Sequence, residues 1–107
     1  MANQLHTQFQ ALADPTRLAV VERLMSGPAS VSELATPFDM ALPTFTKHLG
    51  VLERSGLIQS KKVGRVRTCS IETKAIRQIE DWFSDRRALW EVKLDRLALH
   101  LEENRGS

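Results

Sequence analysis

The sequence of 107 residues contains a single cysteine, and aromatic residues make up only 6% of it. One cysteine excludes an intramolecular disulfide and any zinc site built from several cysteines, which suits a reducing compartment. No apolar run approaches the roughly 20 residues that a membrane-spanning helix needs. The polar first eight residues, MANQLHTQ, do not resemble a signal peptide. We therefore expect a cytoplasmic protein that does not associate with a membrane.

The length predicts one domain, residues 1–107, and the hydrophobic content of 42% is ordinary for a globular core. A domain of this size buries a modest fraction of its surface, so stabilisation by a partner chain would be unsurprising. The last two residues, Gly106 and Ser107, are interpreted as a cloning remnant and are left out of the fold prediction.

The net charge of +2 hides an uneven distribution along the chain. Residues 41–71 carry six basic side chains against a single acidic one, Glu53, and have a net charge of +5. The segments before and after them have net charges of −2 and −1. A local basic cluster is typical of nucleic-acid binding, although many basic surfaces have no partner.

Three short helices are predicted before residue 40. The apolar residues of the first two repeat at helical spacing, Leu5, Phe9 and Leu12 in one and Leu18, Val21 and Leu24 in the other. Asp14 and Pro15 mark the start of the second helix, because aspartate is a good N-cap and proline suits the first helical position. Ser30 and Glu33 have the S-x-x-E spacing of a capping box, which starts the third helix. Pro37 would break its hydrogen bonding, so the third helix is predicted to be short.

The stretch ALPTFTKHLGVLERSGLI, residues 41–58, combines a buried helical face with an unusual start. Phe45, Leu49 and Leu52 lie at i, i+4 and i+7 and predict the buried face. Gly56 suits the position just after the end of the helix. None of the residues that open this helix is a strong side-chain cap. Such a cap is less needed where the first N–H groups of a helix can face a phosphate.

After this helix the pattern predicts two strands and one long helix. Residues 57–63 and 66–71 are interpreted as strands that flank Gly64 and Arg65, because glycine in the first position of a two-residue loop suits a type II′ hairpin turn. Residues 73–103 contain neither glycine nor proline. They can therefore form one helix of roughly 45 Å, at about 1.5 Å per residue.

The predicted fold is mainly α with a β-hairpin wing. It is a winged helix-turn-helix, which consists of a short helix, a tight connection, a second helix and a basic β-hairpin. In such a fold the second helix of the pair enters the major groove with its N-terminal residues first. The residues of this helix predicted to meet DNA are Leu42, Pro43, Thr44, Thr46 and Lys47. Those of the hairpin predicted to reach phosphates or the adjacent minor groove are Lys61, Lys62, Arg65 and Arg67.

The same residues carry a resemblance to a known family. The segments ALADPTRLAVVERL, SVSELA, PTFTKHLGVLERSGLI and KKVGRVRTCSI are similar to those of the ArsR family of bacterial transcriptional repressors. The likeness spans about residues 8–72, and DWFSDRRALWEVKLDRL resembles the C-terminal helix of a subgroup of that family. The resemblance implies a homodimeric repressor on a pseudo-palindromic operator, dimerised through its first and last helices.

Two departures from the family concern metal sensing. Many members bind metals through cysteines of the third helix, whereas SELATPF at 32–38 has none. Others bind zinc through D-x-H and a later H-x-x-E. His100 and Glu103 match the second motif, but the upstream positions hold Arg87 and Leu89. Two ligands per chain are too few for a tetrahedral zinc site, so we expect no metal and no cofactor, and the existence of a small-molecule effector stays open.

Apolar residues of the first and last helices form the predicted dimer interface, namely Leu5, Phe9, Leu12, Trp82, Phe83, Trp90, Leu94 and Leu97. Those of the last helix could instead form an intramolecular core. A helix this long extends beyond a domain this small, so at least part of it should pack against a second chain.

Several side chains have an alternative interpretation. His48 is predicted to be packed and hydrogen-bonded rather than to contact bases, and Cys69 to be a small, half-buried residue. Arg17 either holds a phosphate or pairs with a nearby carboxylate. Thr46 and Lys47 could form a solvated helix face, but the fold context favours DNA contact.

The sequence therefore predicts a sequence-specific DNA-binding regulator that represses its own operon and is not an enzyme. Cys69 and the three histidines lie on separate elements, with no acid–base or phosphate-loop motif. Two alternatives stay open, a sensor whose metal or small-molecule ligand controls release from DNA, and a winged helix used only for protein contacts. Sequence-specific DNA binding would separate the repressor from the second alternative.

Overall fold

The computed structural model describes residues 2–105, which form five helices and three strands. In chain order these are α1 (Ala2–Leu12), α2 (Pro15–Leu24), β1 (Ala29–Ser30), α3 (Val31–Ala35), α4 (Leu42–Arg54), β2 (Ile58–Val63), β3 (Val66–Ile71) and α5 (Thr73–Arg105). Gly106 and Ser107, interpreted above as a cloning remnant, lie outside the described residues. The chain divides into two compact units, one ending at Ile76 and the other beginning at Arg77.

The predicted starts of α2 and α3 are confirmed by local hydrogen bonds. The Asp14 carboxylate accepts from the backbone N–H of Arg17 at 3.0 Å, and proline occupies the start of α2. At α3 the Ser30 hydroxyl accepts from the Glu33 N–H, and the Glu33 carboxylate accepts from the Ser30 N–H, both at 3.1 Å. These caps satisfy N–H groups that have no partner inside the helix. The same backbone donors lower the pKa of the Asp14 and Glu33 carboxyl groups.

The predicted hairpin is formed by β2 and β3, which pair in an antiparallel register with Val63 opposite Val66. Gly64 has a φ of +62°, whereas Arg65 beside it does not have a positive φ. A type I′ turn needs positive φ at both central residues, and a type II′ turn needs it only at the first. The backbone therefore agrees with the predicted type II′ turn.

The short strand β1 is absent from the sequence prediction. It pairs with β3, Ala29 opposite Cys69 and Ser30 opposite Thr68, and the sheet order is β1-β3-β2. β3 is therefore the central strand, and Cys69 is fully buried at 0% exposure. The prediction of a half-buried cysteine is wrong, because β1 covers the edge of β3 that a two-stranded hairpin would leave open. Burial raises the pKa of the Cys69 thiol.

The core of the first unit contains the predicted face of α4, since Phe45, Leu49 and Leu52 are all buried. On α2 the prediction is partly wrong. Leu18 is 42% exposed, and Val20, at 1% exposure, fills the core together with Val21 and Leu24. The helix is thus rotated slightly from the orientation that its spacing of leucines indicates.

α1 directs Gln8 and Ala11 into the core, each at 2% exposure. Its apolar stripe of Leu5, Phe9 and Leu12 is half-buried. Part of this stripe therefore remains accessible in the single chain. α5 is continuous over 33 residues, and in the described part of the chain no helix is long and apolar enough to cross a membrane.

Candidate nucleic-acid interface

The position of α4 is fixed near both of its ends by neighbouring segments. Phe45 is fully buried, and its ring lies 5.4 Å from the ring of Phe38 in the connection from α3. At the other end the Leu57 N–H donates to the Leu52 carbonyl at 3.1 Å, and Gly56 has a φ of +83°. This is the 6→1 hydrogen bond of a Schellman motif, with glycine at the predicted position after the end of the helix. These contacts hold the helix against the core at both ends.

The face of α4 opposite the core is exposed at each residue predicted to meet DNA. These residues are Leu42, Pro43, Thr44, Thr46 and Lys47. The N-cap residue, Ala41, makes no side-chain hydrogen bond, so the first N–H groups of the helix lack a side-chain cap. Their contact with DNA stays a prediction, and the structure supplies the exposure that it requires.

The basic residues of the hairpin, Lys61, Lys62, Arg65 and Arg67, are exposed as well. The Arg67 guanidinium donates to the Ser60 hydroxyl at 2.9 Å, a bond from β3 to β2. Arg65 lies in the turn directly after Gly64. A cationic turn carried on a two-stranded hairpin can contact a phosphate backbone that the helix does not reach.

A groove of about 500 Å³ lies between α4 and the hairpin. Thr46 and Glu53 of α4 line it together with Arg65 and Arg67. The groove therefore unites residues of the helix and of the hairpin that the sequence predicts for DNA binding. Its lining also includes the start of α3, Ser30, Val31 and Ser32, an element that was not predicted for DNA binding. Their only signal in the sequence is the capping box, which indicates a helix start and not a binding surface.

Arg17, in the first turn of α2, contacts both α1 and α4. Its Nε donates to the carbonyl of Ala11 in the last turn of α1 at 2.7 Å, and a terminal nitrogen lies 3.3 Å from His48 Nδ1 on α4. A guanidinium can only donate, so this contact is a hydrogen bond in the tautomer whose Nδ1 carries no proton. The Asp14 carboxylate, at the start of α2, lies 3.7 Å from the same Nδ1.

This cluster involves two side chains that had alternative interpretations. The Arg17 side chain is hydrogen-bonded to backbone carbonyls and to a histidine, and its charge is one of the smaller causes that lower the pKa of the Asp14 carboxyl group. His48 is half-buried and hydrogen-bonded, as predicted. Both residues therefore help to hold α4 in position.

The second unit consists of the rest of α5. Its predicted interface residues are largely exposed in the single chain, with Phe83 at 55%, Trp90 at 60%, Leu94 at 56% and Leu97 at 52%. Trp82 is half-buried, packs edge-to-face with Phe83 at 5.0 Å, and has the Arg86 guanidinium 4.3 Å from its ring centroid. Their packing against a second chain stays a prediction.

Potential metal ligands are scattered. Among residues 2–105 no group of three or more His, Cys, Asp or Glu side chains could hold a metal ion. His100 Nε2 lies 3.0 Å from the amide nitrogen of Asn104, one turn further along α5.

Comparison with known proteins gives one consistent family. A helix-turn-helix domain model matches residues 12–60. The crystal structure of the ArsR family transcriptional regulator RHA00566 superposes with a TM-score of 0.78 at 57% sequence identity, over 85% of this chain and 94% of that one. The chain belongs to the ArsR family. The winged helix-turn-helix fold predicted from the sequence is thereby confirmed, and the family consists of DNA-binding transcriptional regulators rather than enzymes.

Two curated relatives match over shorter segments. The HTH-type transcriptional regulator Rv2034 of Mycobacterium tuberculosis is 41% identical over 64 residues, which are 60% of this chain and 60% of that protein. The arsenical resistance operon repressor of Escherichia coli strain K12 is 40% identical over 58 residues, 53% of this chain and 50% of that protein. The similarity thus spans about half to three-fifths of the length of these relatives.

Proposed function

We propose that this chain acts in the cytoplasm as a homodimeric repressor, which binds a pseudo-palindromic operator in double-stranded DNA and controls its own operon. The observation that carries the proposal is the groove that the exposed face of α4 shares with a cationic hairpin. Repression, as opposed to DNA binding in general, is extended to this chain from a relative that is named an operon repressor.

In this proposal α4 lies in the major groove, which is wide enough to admit a helix. Phe45 faces the core, whereas the next two residues, Thr46 and Lys47, are exposed and would face base edges in the complex. The threonine hydroxyl can donate to or accept from either base of a pair, and the lysine ammonium can donate to guanine. The uncapped N–H groups at the start of the helix would face a phosphate.

The hairpin contributes affinity that depends little on sequence. Its four basic residues would lie along the phosphate backbone beside the major groove, or with an arginine in the adjacent minor groove. The hydrogen bond from Arg67 to Ser60 orders the guanidinium along the hairpin before DNA binds. Neutralised phosphates release counterions, so this contribution should weaken as the salt concentration rises.

A second copy of the chain is the proposed partner of the exposed apolar residues of α5. Side chains such as Trp90 and Leu94 expose more than half of their surface in the single chain, and burying them against an identical helix would be favourable. The accessible part of the α1 stripe, Leu5, Phe9 and Leu12, would add to the interface. A symmetric dimer presents two copies of α4 to two half-sites, which accounts for a pseudo-palindromic operator.

Footprinting of the purified protein on the promoter region of its own operon tests the proposal. We expect protection of two related half-sites about one helical turn of DNA apart, or a multiple of that spacing. The Lys47→Ala variant should lose this protection at concentrations where the wild type retains it. If the protein binds no duplex more tightly than random DNA, the repressor function is wrong, and a winged helix used for protein contacts becomes the better interpretation.

A further inference from the structure

The first turn of α4 presents an apolar surface where the proposed contact with DNA begins. Leu42, the first residue of the helix, is 57% exposed. Ala41 and Pro43 on either side of it are exposed too. No charged residue occurs in this helix before Lys47.

Few groups in this turn can form hydrogen bonds with base edges. Bidentate contacts with guanine or adenine require Arg, Lys, Asn or Gln, and residues 41–44 include none of these. Their one polar side chain is that of Thr44. The apolar feature that a base presents in the major groove is the C5-methyl group of thymine. The first turn of α4 therefore complements thymine better than any other base.

The fold does not require an exposed leucine at this position. Phe45, three residues further on, is fully buried and provides the core contact of this turn. Pro43 already supplies the backbone geometry that favours a helix start. Apolar surface on Leu42 that stays in water in the free protein could be buried against a methyl group in the complex, which is favourable.

We infer that Leu42 contacts the C5-methyl group of one thymine in each operator half-site, so that the regulator selects its DNA partly through an apolar contact. The inference rests on the proposed function, because it requires α4 to lie in the major groove. It assigns specificity to a residue that cannot form a side-chain hydrogen bond.

Uracil substitution provides a direct test, since uracil pairs as thymine does and lacks only the methyl group. A preferred duplex is first selected from a random library with the wild-type protein, and its thymines are then replaced by uracil one at a time. We expect one position per half-site at which the substitution weakens binding about fourfold, the factor for burial of a single methyl group. Substitution in both half-sites should then weaken binding about fifteenfold.

Two variants assign the effect to the side chain. Leu42→Ala should bind the thymine and uracil duplexes equally, with about the affinity of the wild type for the uracil duplex. Lys47→Ala should bind both duplexes more weakly and keep the preference for thymine. Met25→Ala removes another side chain that is 57% exposed, at the end of α2, and should behave as the wild type. Circular dichroism melting curves of the variants should match that of the wild type, because these side chains lie at the surface.

Each result decides the inference. If Leu42→Ala keeps the penalty for uracil, the effect comes from another residue or from DNA shape, and the inference is wrong. If no uracil weakens binding while the wild type still prefers the selected duplex, the inference fails and the proposed function stands. If the wild type selects no sequence at all, both fail together.

Discussion

Replacing Lys47 or Arg65 by alanine should separate the two proposed sources of DNA affinity. Both side chains are exposed, so each variant should fold as the wild type does. Lys47 lies on the outward face of α4, where a side chain can reach base edges. Arg65 lies in the turn of the hairpin, where the nearest part of a duplex would be its uniformly charged backbone.

The loss of a base contact costs about 1–3 kcal/mol, which is a factor of roughly 5 to 150 in affinity per half-site. Lys47→Ala should therefore reduce the affinity for the operator at least about fivefold. It should reduce the affinity for random DNA much less. Because this variant also loses a charge, Thr46→Ala serves as its neutral counterpart. Thr46 lines the same groove, and its replacement should reduce operator preference and leave the salt dependence unchanged.

Arg65→Ala should act on all DNA alike. Each lost phosphate contact lowers the slope of log affinity against log salt by about 0.9, so one contact per hairpin lowers it by about 1.8 in a dimer. Between 50 and 200 mM salt, a change of this size corresponds to about one order of magnitude in affinity. The advantage of the wild type over Arg65→Ala should thus shrink about tenfold over this range, on operator and scrambled duplexes equally.

Fluorescence anisotropy with both duplexes, at four or five salt concentrations, measures all of these quantities. If Lys47→Ala and Thr46→Ala both leave the operator preference intact, the assignment of α4 as the recognition helix is wrong. If Arg65→Ala loses affinity on the operator alone and keeps its salt slope, the arginine contributes shape readout in a narrow minor groove rather than a phosphate contact.

Four further measurements follow from the structure. In sedimentation at tens of micromolar, on the order of a usual test for an obligate dimer, the wild type should be a dimer and Leu94→Glu a monomer. A monomeric wild type would contradict the proposed interface. Zn²⁺ or Cd²⁺ should leave operator affinity nearly unchanged, because residues 2–105 provide no group of three or more His, Cys, Asp or Glu ligands; a chelator-reversible loss with one metal per chain would refute this. Iodoacetamide should label Cys69 far more slowly in the native protein than in urea at pH 7.5, because burial excludes the reagent and raises the thiol pKa; rapid native labelling would show that β3 opens. The pKa values of the Asp14 and Glu33 carboxyl groups are lowered from their ordinary 3.8 and 4.5. The ionised carboxylates therefore stabilise the folded protein fully above these ordinary values, and this contribution is lost as the pH falls through the lower pKa values of the folded state. In urea titrations, the free energy of unfolding of the variant with Asp14→Asn and Glu33→Gln should therefore fall less between pH 6 and pH 3 than that of the wild type. An equal fall in both proteins would contradict the role of the two caps.

The helix boundaries could be predicted because they depend on interactions between close neighbours. Ser30 and Glu33 satisfy each other's backbone N–H groups three residues apart, and Gly56 ends α4 through its own φ. Such signals are contained in a few consecutive residues. They therefore remain readable without knowledge of the tertiary structure.

Features created by long-range packing could not be predicted in the same way. β1 has two residues and no periodic pattern, and it exists only because Ala29 pairs with Cys69 across the sheet. The choice of Val20 over Leu18 for the core of α2 depends on how that helix is rotated against its neighbours. The bond between Arg17 and His48 joins residues 31 positions apart, and no local pattern indicates it.

The α4 part of the candidate site was predictable because a helix that buries one face exposes the other. Phe45, Leu49 and Leu52 hold α4 in the core, and their spacing implies that Thr46 and Lys47 face outward. The groove to the hairpin adds Arg65 and Arg67 to this face. The N-terminus of α3 in the same groove escaped prediction, since its position depends on the tertiary packing of the whole first unit.

The division of α4 into a buried and an exposed face has a consequence for how such a regulator can change its operator. The position of the helix is determined by buried and half-buried groups, namely the ring of Phe38 against Phe45 and the contact of Arg17 with His48. The side chains proposed to contact bases, Leu42 and Lys47 among them, are exposed and contribute little to that position. Surface substitutions of this kind usually change stability by less than about 0.5 kcal/mol, whereas one altered base contact changes affinity by about 1–3 kcal/mol. Operator preference can therefore be altered at these positions with little loss of stability, which is how one fold can support many different regulators.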